Sequence, residues 1–183
     1  MKLLILVHNN FNDIELGTAY YIFNTFGDFE KITIFNPNKN LTEVLGQGNV
    51  LNLKIEHNVN LNEYDAIFIP GGSGAKILRE DNVSLNIIRR FKDNNKYIFA
   101  ICDAPNVLYE NQIIDDQINY SSYPLGENMQ KGKLRNENNV TVHDKIITGR
   151  CPAATFDFAI SILYKLFDNK KVNNYEKLIK AAF

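Results

Sequence analysis

Short runs of apolar residues alternate with longer amphipathic stretches along most of this 183-residue chain. Leu3–Val7, Ala66–Ile69 and Tyr97–Ile101 are apolar at nearly every position, as expected for strands that are buried on both faces. The amphipathic stretches between them, such as Asp13–Phe26, place apolar residues at helical spacing. Strands covered by helices on both sides form a mostly parallel sheet, so the pattern predicts a doubly wound α/β domain.

The remaining elements follow from the same two patterns. Further strands are predicted at Ile32–Phe35, Val140–Val142 and Ile146–Thr148, with an extended excursion or small hairpin at Val50–Ile55. Further helices are predicted at Ser84–Phe91, Pro105–Asn111, Ala153–Phe167 and Tyr175–Ala182, and Ile118–Leu134 is expected to be irregular. The first helix is expected to bury Ile14, Ala19, Ile22, Phe23 and Phe26.

Length, charge and cysteine content narrow the class of protein. The chain fits one domain over residues 1–183, with neither an internal repeat nor a long linker. The chain has 20 basic and 21 acidic residues, so it carries no excess of positive charge that would attract nucleic acid or an anionic membrane. The net charge therefore indicates neither of them as a partner. The apolar runs are far shorter than the roughly 20 residues of a membrane span, and no signal peptide is recognisable. Two cysteines make neither a disulfide framework nor a usual zinc site, so we expect a reduced, cytoplasmic protein without a bound metal.

A glycine-rich turn directly follows a buried strand. In sheets of this type ligands bind beyond the carboxyl ends of the strands, which is where Pro70–Gly74 stands. Gly71 and Gly72 permit a positive φ and close backbone approach, so their N–H groups can face a ligand. The turn lacks the Lys-Ser/Thr of a phosphate-binding loop and the dinucleotide fingerprint, so an ordinary strand-to-helix turn is the alternative.

Cys102 lies between the predicted strand Tyr97–Ile101 and the helix that begins near Pro105. This is the arrangement of a nucleophile elbow, with cysteine in place of serine. A helix N-terminus is expected to lower the pKa of the thiol and to stabilise an oxyanion. The alternative is an inert, buried cysteine.

Three more residues at this edge of the sheet are candidates. Glu15 is either a first-turn acid that the helix dipole favours or a proton partner of the Cys102 thiol. Arg150 has three open roles: binding an anionic substrate group, orienting Glu15, or forming an ordinary ion pair. Cys151 is expected to be a small packed residue, although it could also trap a Cys102 sulfenic acid as a disulfide.

Three motifs, in order, resemble the ThiJ/PfpI superfamily over a region from Lys2 to about Leu166. They are Asp65–Gly72, Ala100–Pro105 and Thr148–Ala159. The resemblance implies a flavodoxin-like sandwich, usually a homodimer, with a reactive cysteine at the elbow.

Site roles follow from the resemblance by position. It implies Cys102 as the nucleophile, Glu15 as its carboxyl partner, and the backbone N–H groups of Gly72 and Asp103 as oxyanion donors. Substrate-binding or supporting positions are also implied, at Gly71, Tyr123, Arg150 and Pro152.

The chain lacks histidine at two positions where branches of the superfamily have one. Asp103 stands where the peptidase-like branch has a histidine after the cysteine, and Tyr123 stands where the deglycase branch has one before Pro-Leu. His8 lies at a strand end and is expected to be packed or hydrogen-bonded, and His57 and His143 are assigned no role.

Two hypotheses for function follow. The first is a cofactor-free Cys102/Glu15 enzyme acting on a small electrophile, either a reactive carbonyl as in a glyoxalase or deglycase, or a related compound such as an isocyanide. The second is an oxidative-stress sensor that works through an accessible Cys102 of low pKa, which the missing histidine favours slightly. A cysteine peptidase is the least supported alternative.

Overall fold

The computed structural model describes residues 1–126 and 129–182 and shows helices on both faces of a central sheet. The strands within these residues are β1 (Lys2–Leu6), β2 (Lys31–Phe35), β3 (Glu43–Leu45), β4 (Asn52–Lys54), β5 (Ala66–Ile69), β6 (Tyr97–Ile101), β7 (Tyr120–Ser121), β8 (Arg135–Asn136), β9 (Val140–His143) and β10 (Ile146–Gly149). The α-helices of the described part of the chain are α1 (Asp13–Phe26), α2 (Gly74–Glu80), α3 (Asn82–Asp93), α4 (Ala104–Glu110), α5 (Thr155–Leu166) and α6 (Asn169–Ile179). Short 3₁₀ turns lie at Leu61–Glu63 and Pro152–Ala154.

The central sheet, as far as the structure describes the chain, has the strand order β2-β1-β5-β6-β10-β9. All neighbours run parallel except β9, which pairs antiparallel with β10. The chain moves outward from β1 to β2 and then returns to the other side of β1 at β5, which leaves a topological switch between β1 and β5. Ligands of doubly wound sheets bind at such a switch, beyond the carboxyl ends of the strands.

Successive strand residues alternate between two apolar cores. Leu3, Ile5 and Phe68 belong to the core that α1, α5 and α6 cover. Leu4 and Ile67 belong to the core on the other face, which α2, α3 and α4 cover. Both faces of the sheet are therefore dry, which is why the strand sequences are continuously apolar. The predicted flavodoxin-like, doubly wound α/β sandwich is confirmed.

One prediction about the apolar stripe of α1 is wrong. Ile14 is 60% exposed, whereas Glu15 is fully buried. Glu15, Ala19 and Ile22 follow the i, i+4, i+7 spacing of the inward face, so a carboxyl group occupies a position where the hydropathy pattern expects an apolar side chain.

Other differences concern the ends of helices. The sequence pattern does not predict α2, whose seven residues begin directly after the glycine-rich turn and are separated from α3 by Asp81 alone. α6 begins at Asn169, well before the predicted Tyr175, because the Asp168 carboxylate caps it by accepting the Lys171 N–H at 2.9 Å. The irregular region predicted over 118–134 includes residues 127 and 128, which lie outside the described residues.

Candidate active site

Three neighbouring strands, β1, β5 and β6, deliver the candidate groups to one edge of the sheet. Glu15 stands in the first turn of α1 after β1, Gly71 and Gly72 follow β5, and Cys102 follows β6. Because these strands are parallel and adjacent, their carboxyl ends bring the three segments together at the topological switch.

The start of α1 fixes the position of Glu15. The Asn12 side chain caps the helix by accepting the N–H groups of Ile14 at 3.0 Å and Glu15 at 3.3 Å. The Glu15 carboxyl then reaches the glycine turn, where the Gly71 N–H donates to its Oε2 at 2.7 Å. Its Oε1 is buried and makes no hydrogen bond among the described residues, and the nearby Cys102 thiol acts on the pKa of this carboxyl.

Cys102 adopts the left-handed backbone conformation of an elbow, with φ of +63°. This conformation is uncommon for a residue other than glycine and persists only where the surroundings hold it. The Cys102 N–H donates to the Gly149 carbonyl at 2.9 Å, and the Cys102 carbonyl accepts the Tyr123 N–H at 2.8 Å. The backbone is thus held on both sides of the thiol.

Both glycines of the turn are required by the space around them. A Cβ on Gly71 would lie 2.7 Å from the Cys102 Cβ and 2.9 Å from the Glu15 Oε2. Gly72 has φ of +81°, and a Cβ there would lie 2.5 Å from the Asn12 backbone nitrogen. The turn therefore approaches the thiol and the carboxyl as closely as only glycine permits.

The electrostatics of the pair favour neutral forms. Burial raises the pKa of Glu15 to about 7, against the opposing effects of the Cys102 thiol and the Gly71 N–H. Burial and the negative charge of Glu15 raise the pKa of the Cys102 thiol above its usual range, although the backbone N–H groups of Gly72 and Asp103 act to lower this pKa. The expectation that the helix N-terminus gives a low-pKa thiol is therefore wrong, because burial outweighs these donors.

The exposure of Cys102 also differs from what the sensor hypothesis predicts. The thiol of a sensor was expected to be accessible, but Cys102 is only 7% exposed. So small an exposed surface leaves little room for a peptide chain at this residue.

Arg150 forms an ion pair with Glu137. Its Nη2 pairs with the Glu137 Oε2, its Nη1 donates to the Glu137 carbonyl at 3.2 Å, and its backbone N–H donates to Asn139. Of its three open roles, the described contacts match the ordinary ion pair. Pro152 begins the 3₁₀ turn that leads into α5.

The other supporting residue, Tyr123, contacts the elbow through its backbone. Its N–H donates to the Cys102 carbonyl, as described above, and its own carbonyl accepts the Asn106 Nδ2 at 2.9 Å. Its side chain is partly exposed at the surface.

The hypothesis of a Cys102–Cys151 disulfide gains no support from this geometry. The Cys102 sulfur faces Glu15 and Gly72, which follow β1 and β5 on one side of β6. Cys151 follows β10, on the other side of β6.

Sequence reasoning missed Arg79 and Asn106. Arg79, in α2, donates to both carboxylate oxygens of Asp103, each at 2.7 Å. Asn106, fully buried in α4, donates to the same carboxylate at 3.0 Å and to the Tyr123 carbonyl. No sequence signal could have found Arg79, since α2 is itself too short to predict from its pattern.

Among the described residues, the three histidines make their hydrogen bonds to groups other than the Cys102 thiol. The buried His8 forms a hydrogen bond from its Nε2 to the Asp81 Oδ2 at 3.0 Å and lies 3.3 Å from the Ser84 hydroxyl. It lines a cavity of about 380 Å³ that includes neither Cys102 nor Glu15. His57 contacts the Asn36 carbonyl, and His143 accepts the Asn119 N–H.

Within residues 1–126 and 129–182, we find no group of three or more histidine, cysteine or acidic side chains arranged to hold a metal ion. Across the same residues, none of the helices combines the length and apolar character that crossing a membrane requires.

Comparisons with known proteins place the chain in a family. Relatives include "Uncharacterized protein MG029" of Mycoplasma genitalium, which is 36% identical over 173 residues that cover 94% of this chain and 91% of that protein. "Glutathione-independent glyoxalase DJR-1.2" of Caenorhabditis elegans is 30% identical over 115 residues, which cover 62% of this chain and 61% of that protein. Among solved structures, oxidized Toxoplasma gondii DJ-1 superposes with a TM-score of 0.85 at 23% identity, over 100% of this chain and 99% of that one.

The sequence profile of the DJ-1/PfpI family matches residues 1–165, which include every candidate group from Glu15 to Pro152. With the elbow, the glycine turn and the sandwich already in place, the conclusion is that this chain belongs to the DJ-1/PfpI family.

Proposed function

We propose that this protein is a cofactor-free, cysteine-dependent enzyme that acts on small reactive carbonyl compounds. The observation that carries the proposal is the buried pair of Glu15 and Cys102, in which the carboxyl has a pKa of about 7. A carboxyl group that titrates near neutral pH is well matched to accept a proton from the thiol and to return it later.

The chemistry begins at the thiol. Glu15 accepts the proton of Cys102 while the sulfur adds to the aldehyde carbon of a 2-oxoaldehyde. Glu15 then returns this proton to the resulting alkoxide oxygen, which gives a neutral hemithioacetal and leaves the Glu15 carboxylate free to act as a base. The oxygen that gains charge in the addition step is stabilised by the backbone N–H groups of Gly72 and Asp103, which also favour negative charge on the sulfur.

The rearrangement then needs only a proton carrier and water. Glu15 moves a proton from the former aldehyde carbon to the neighbouring carbon through an enediol, which leaves a thioester of a 2-hydroxy acid on Cys102. Water hydrolyses this thioester, releases the 2-hydroxy acid and restores the thiol. The sum is one 2-oxoaldehyde plus one water giving one 2-hydroxy acid, so no external oxidant or reductant is required.

The site geometry supports a small substrate over the alternatives. The small exposed surface of Cys102 disfavours a peptidase, and Asp103 occupies the position of the peptidase-like histidine. The raised pKa of the thiol also disfavours the oxidative-stress sensor, because oxidation by peroxide proceeds through the thiolate. The relative of Caenorhabditis elegans named as a glutathione-independent glyoxalase is consistent with the enzyme hypothesis.

A homodimer in the reducing cytoplasm completes the proposal. Ile14 and Tyr21 lie two turns apart on one face of α1, each 60% exposed, and Val50 on the adjacent hairpin is 77% exposed. Such a patch suits a second copy of the chain. The cytoplasm keeps Cys102 reduced, as the mechanism requires.

The experiment compares substrates at equal concentration without glutathione. Methylglyoxal, glyoxal and an isocyanide are offered to the wild type and to Cys102→Ser, and the hydroxy acids or the formamide are quantified. We expect turnover of the oxoaldehydes by the wild type alone. Turnover of the isocyanide alone would reassign the substrate class, and full turnover by Cys102→Ser would refute the mechanism.

A further inference from the structure

Arg79 makes a bidentate ion pair with the residue that follows the nucleophile. Its Nη1 and Nη2 donate to the two carboxylate oxygens of Asp103 at 2.7 Å each, and its Nε donates to the Glu110 Oε2 at 2.7 Å. A guanidinium held by two parallel hydrogen bonds fixes the direction of its partner as well as its charge. Arg79 comes from α2, so the contact ties this helix to the elbow and to α4.

Asp103 gives up a local role to make this contact. It stands directly before α4, where an aspartate ordinarily caps the helix by accepting free N–H groups. Among the residues that the structure describes, the Asp103 side chain makes no such bond, and its carboxylate instead accepts from Arg79 and from Asn106, the latter at 3.0 Å. An aspartate that binds a tertiary partner instead of capping its own helix indicates that the tertiary contact is needed at the site.

The consequence falls on the nucleophile. The backbone N–H of Asp103, the residue directly after the elbow, lowers the pKa of the Cys102 thiol, and Cys102 itself holds a backbone conformation that its surroundings must support. We propose that Arg79 is a positioning residue that clamps the Asp103 carboxylate and thereby holds the Asp103 N–H at the Cys102 sulfur. This inference rests on the proposed function, in which the same N–H stabilises the oxyanion.

The proposal also explains the missing histidine after the cysteine. The side chain at that position points to Arg79 and Asn106, and both carboxylate oxygens are occupied. Asp103 therefore acts through its backbone, and its side chain serves as the handle by which Arg79 holds that backbone.

The test measures the reactivity of the thiol directly. In a Cys151→Ser background, alkylation of Cys102 by iodoacetamide is followed by intact-mass spectrometry across a range of pH. We expect Arg79→Met to react about tenfold more slowly at pH 8 than the wild type, because the apparent thiol pKa rises by about one unit when a donor to the thiolate is displaced. Arg79→Lys, which keeps the charge without the bidentate fork, is expected to fall between the two.

Arg89→Met is the matched control. Arg89 donates to the Asn111 carbonyl at the other end of α4 at 2.8 Å and makes no contact with Asp103 in the described residues. We expect this variant to alkylate at the wild-type rate. A loss of reactivity as large as that of Arg79→Met would mean that Arg79 merely supports α4, and would overturn the proposal.

The double variant Arg79→Met/Asp103→Asn separates position from charge. If Arg79 acts by holding the N–H, the double variant remains slow. If Arg79 only neutralises a carboxylate beside the thiol, removing that carboxylate restores the wild-type rate and the proposal fails. Because alkylation needs no turnover, these results stand whether or not the protein converts a 2-oxoaldehyde, and the failure of either claim is seen separately.

Discussion

Glu15 occupies the third position of α1, three residues after the capping Asn12, where a glutamate ordinarily reaches back to the N–H of the cap. Here the Asn12 N–H donates to the Gly71 carbonyl at 3.2 Å, and the Glu15 carboxyl accepts from the Gly71 N–H. The Asn12 N–H and the Glu15 carboxyl would ordinarily bond to each other. Here each of them bonds to the Gly71 backbone instead. This exchange frees the carboxyl to face the thiol.

The raised pKa of Glu15 predicts a pH-dependent stability. The folded protein binds this proton more tightly than the unfolded chain, whose carboxyl has a pKa of 4.5, so the free energy of unfolding falls as pH rises from 4.5 to about 7. The contribution of Glu15 is about 3 kcal/mol over this window. Urea unfolding at pH 5 and pH 8 should therefore show a smaller decrease for Glu15→Gln than for the wild type.

The control for this experiment is an exposed glutamate on β3, Glu43→Gln. It should keep the wild-type difference between the two pH values. Equal pH dependence in Glu15→Gln and the wild type would show that the Glu15 carboxyl is not held in its protonated form.

Gly71→Ala tests the close packing of the turn. The added Cβ would meet the Cys102 Cβ at 2.7 Å and the Ile101 carbonyl at 2.8 Å, so the turn must shift. We expect a loss of about 1–3 kcal/mol in the free energy of unfolding and a large loss of turnover. In Gly17→Ala the added Cβ meets only the flexible end of Leu51, at 3.0 Å, so this variant should retain activity. Retention of full activity by Gly71→Ala would contradict the geometry of the site.

At the scale of elements, one carboxylate joins α1 to the β3–β4 hairpin. Asp13 accepts the N–H groups of Gly48 at 2.7 Å, Val50 at 3.1 Å and Leu51 at 2.8 Å. These bonds hold the hairpin beside the first turn of α1, and Gln47 from the same hairpin accepts the Ser73 N–H at 3.0 Å. The hairpin thus lies against both loops that build the site.

Asp13→Ala should release this hairpin. Three N–H groups lose a charged acceptor, for which we expect a loss of about 2 kcal/mol and faster hydrogen exchange at Gly48, Val50 and Leu51. The pKa of Asp13 is lowered by the same three N–H groups, although burial opposes this, so the stabilisation is lost as pH falls below the usual range of a carboxylate. Unchanged exchange at these amides would show that the hairpin is held by other contacts.

The elements differ in how far the sequence predicts them. β5 and β6 are predicted with their observed bounds, because strands buried on both faces are apolar throughout. α2 is not predicted, because a helix of seven residues shows too little periodicity. The site residues differ in the same way. Cys102 stands at a recognisable strand end, so the sequence predicts its position. Arg79 reaches the site through a tertiary contact, which no local sequence pattern indicates.

At the scale of the whole molecule, the exposed patch of α1 and the hairpin predicts self-association. Tyr21→Glu and Val50→Glu each place a charge in this apolar patch, so both should shift the protein from dimer to monomer in sedimentation velocity experiments. Leu178→Glu is the control, since Leu178 is exposed on α6. A wild type that sediments as a monomer, or dimers that persist in both patch variants, would contradict this interface.

The structure of the whole molecule explains why the fold is predicted correctly from the sequence, whereas the pKa of the Cys102 thiol is not. The alternation of apolar strands and amphipathic helices determines which layers pack together, and that alternation is visible in the sequence. The pKa values of Glu15 and Cys102 depend instead on how completely the assembled layers bury them. A helix N-terminus suggests a reactive thiol, but the balance between its donors and burial exists only in the folded protein.

The most direct test of the account is the pH dependence of kcat/KM for lactate formation from methylglyoxal, measured for the wild type, Cys102→Ser and Glu15→Gln. We predict that the wild-type value rises through an apparent pKa of about 7, because Glu15 must be deprotonated to accept the thiol proton. Cys102→Ser should form no lactate above background, and Glu15→Gln should lose this titration together with at least a hundredfold of the rate, roughly the contribution of a general base. Wild-type turnover with Glu15→Gln, or a profile that is flat between pH 5 and pH 8, would contradict the central role of the Glu15–Cys102 pair.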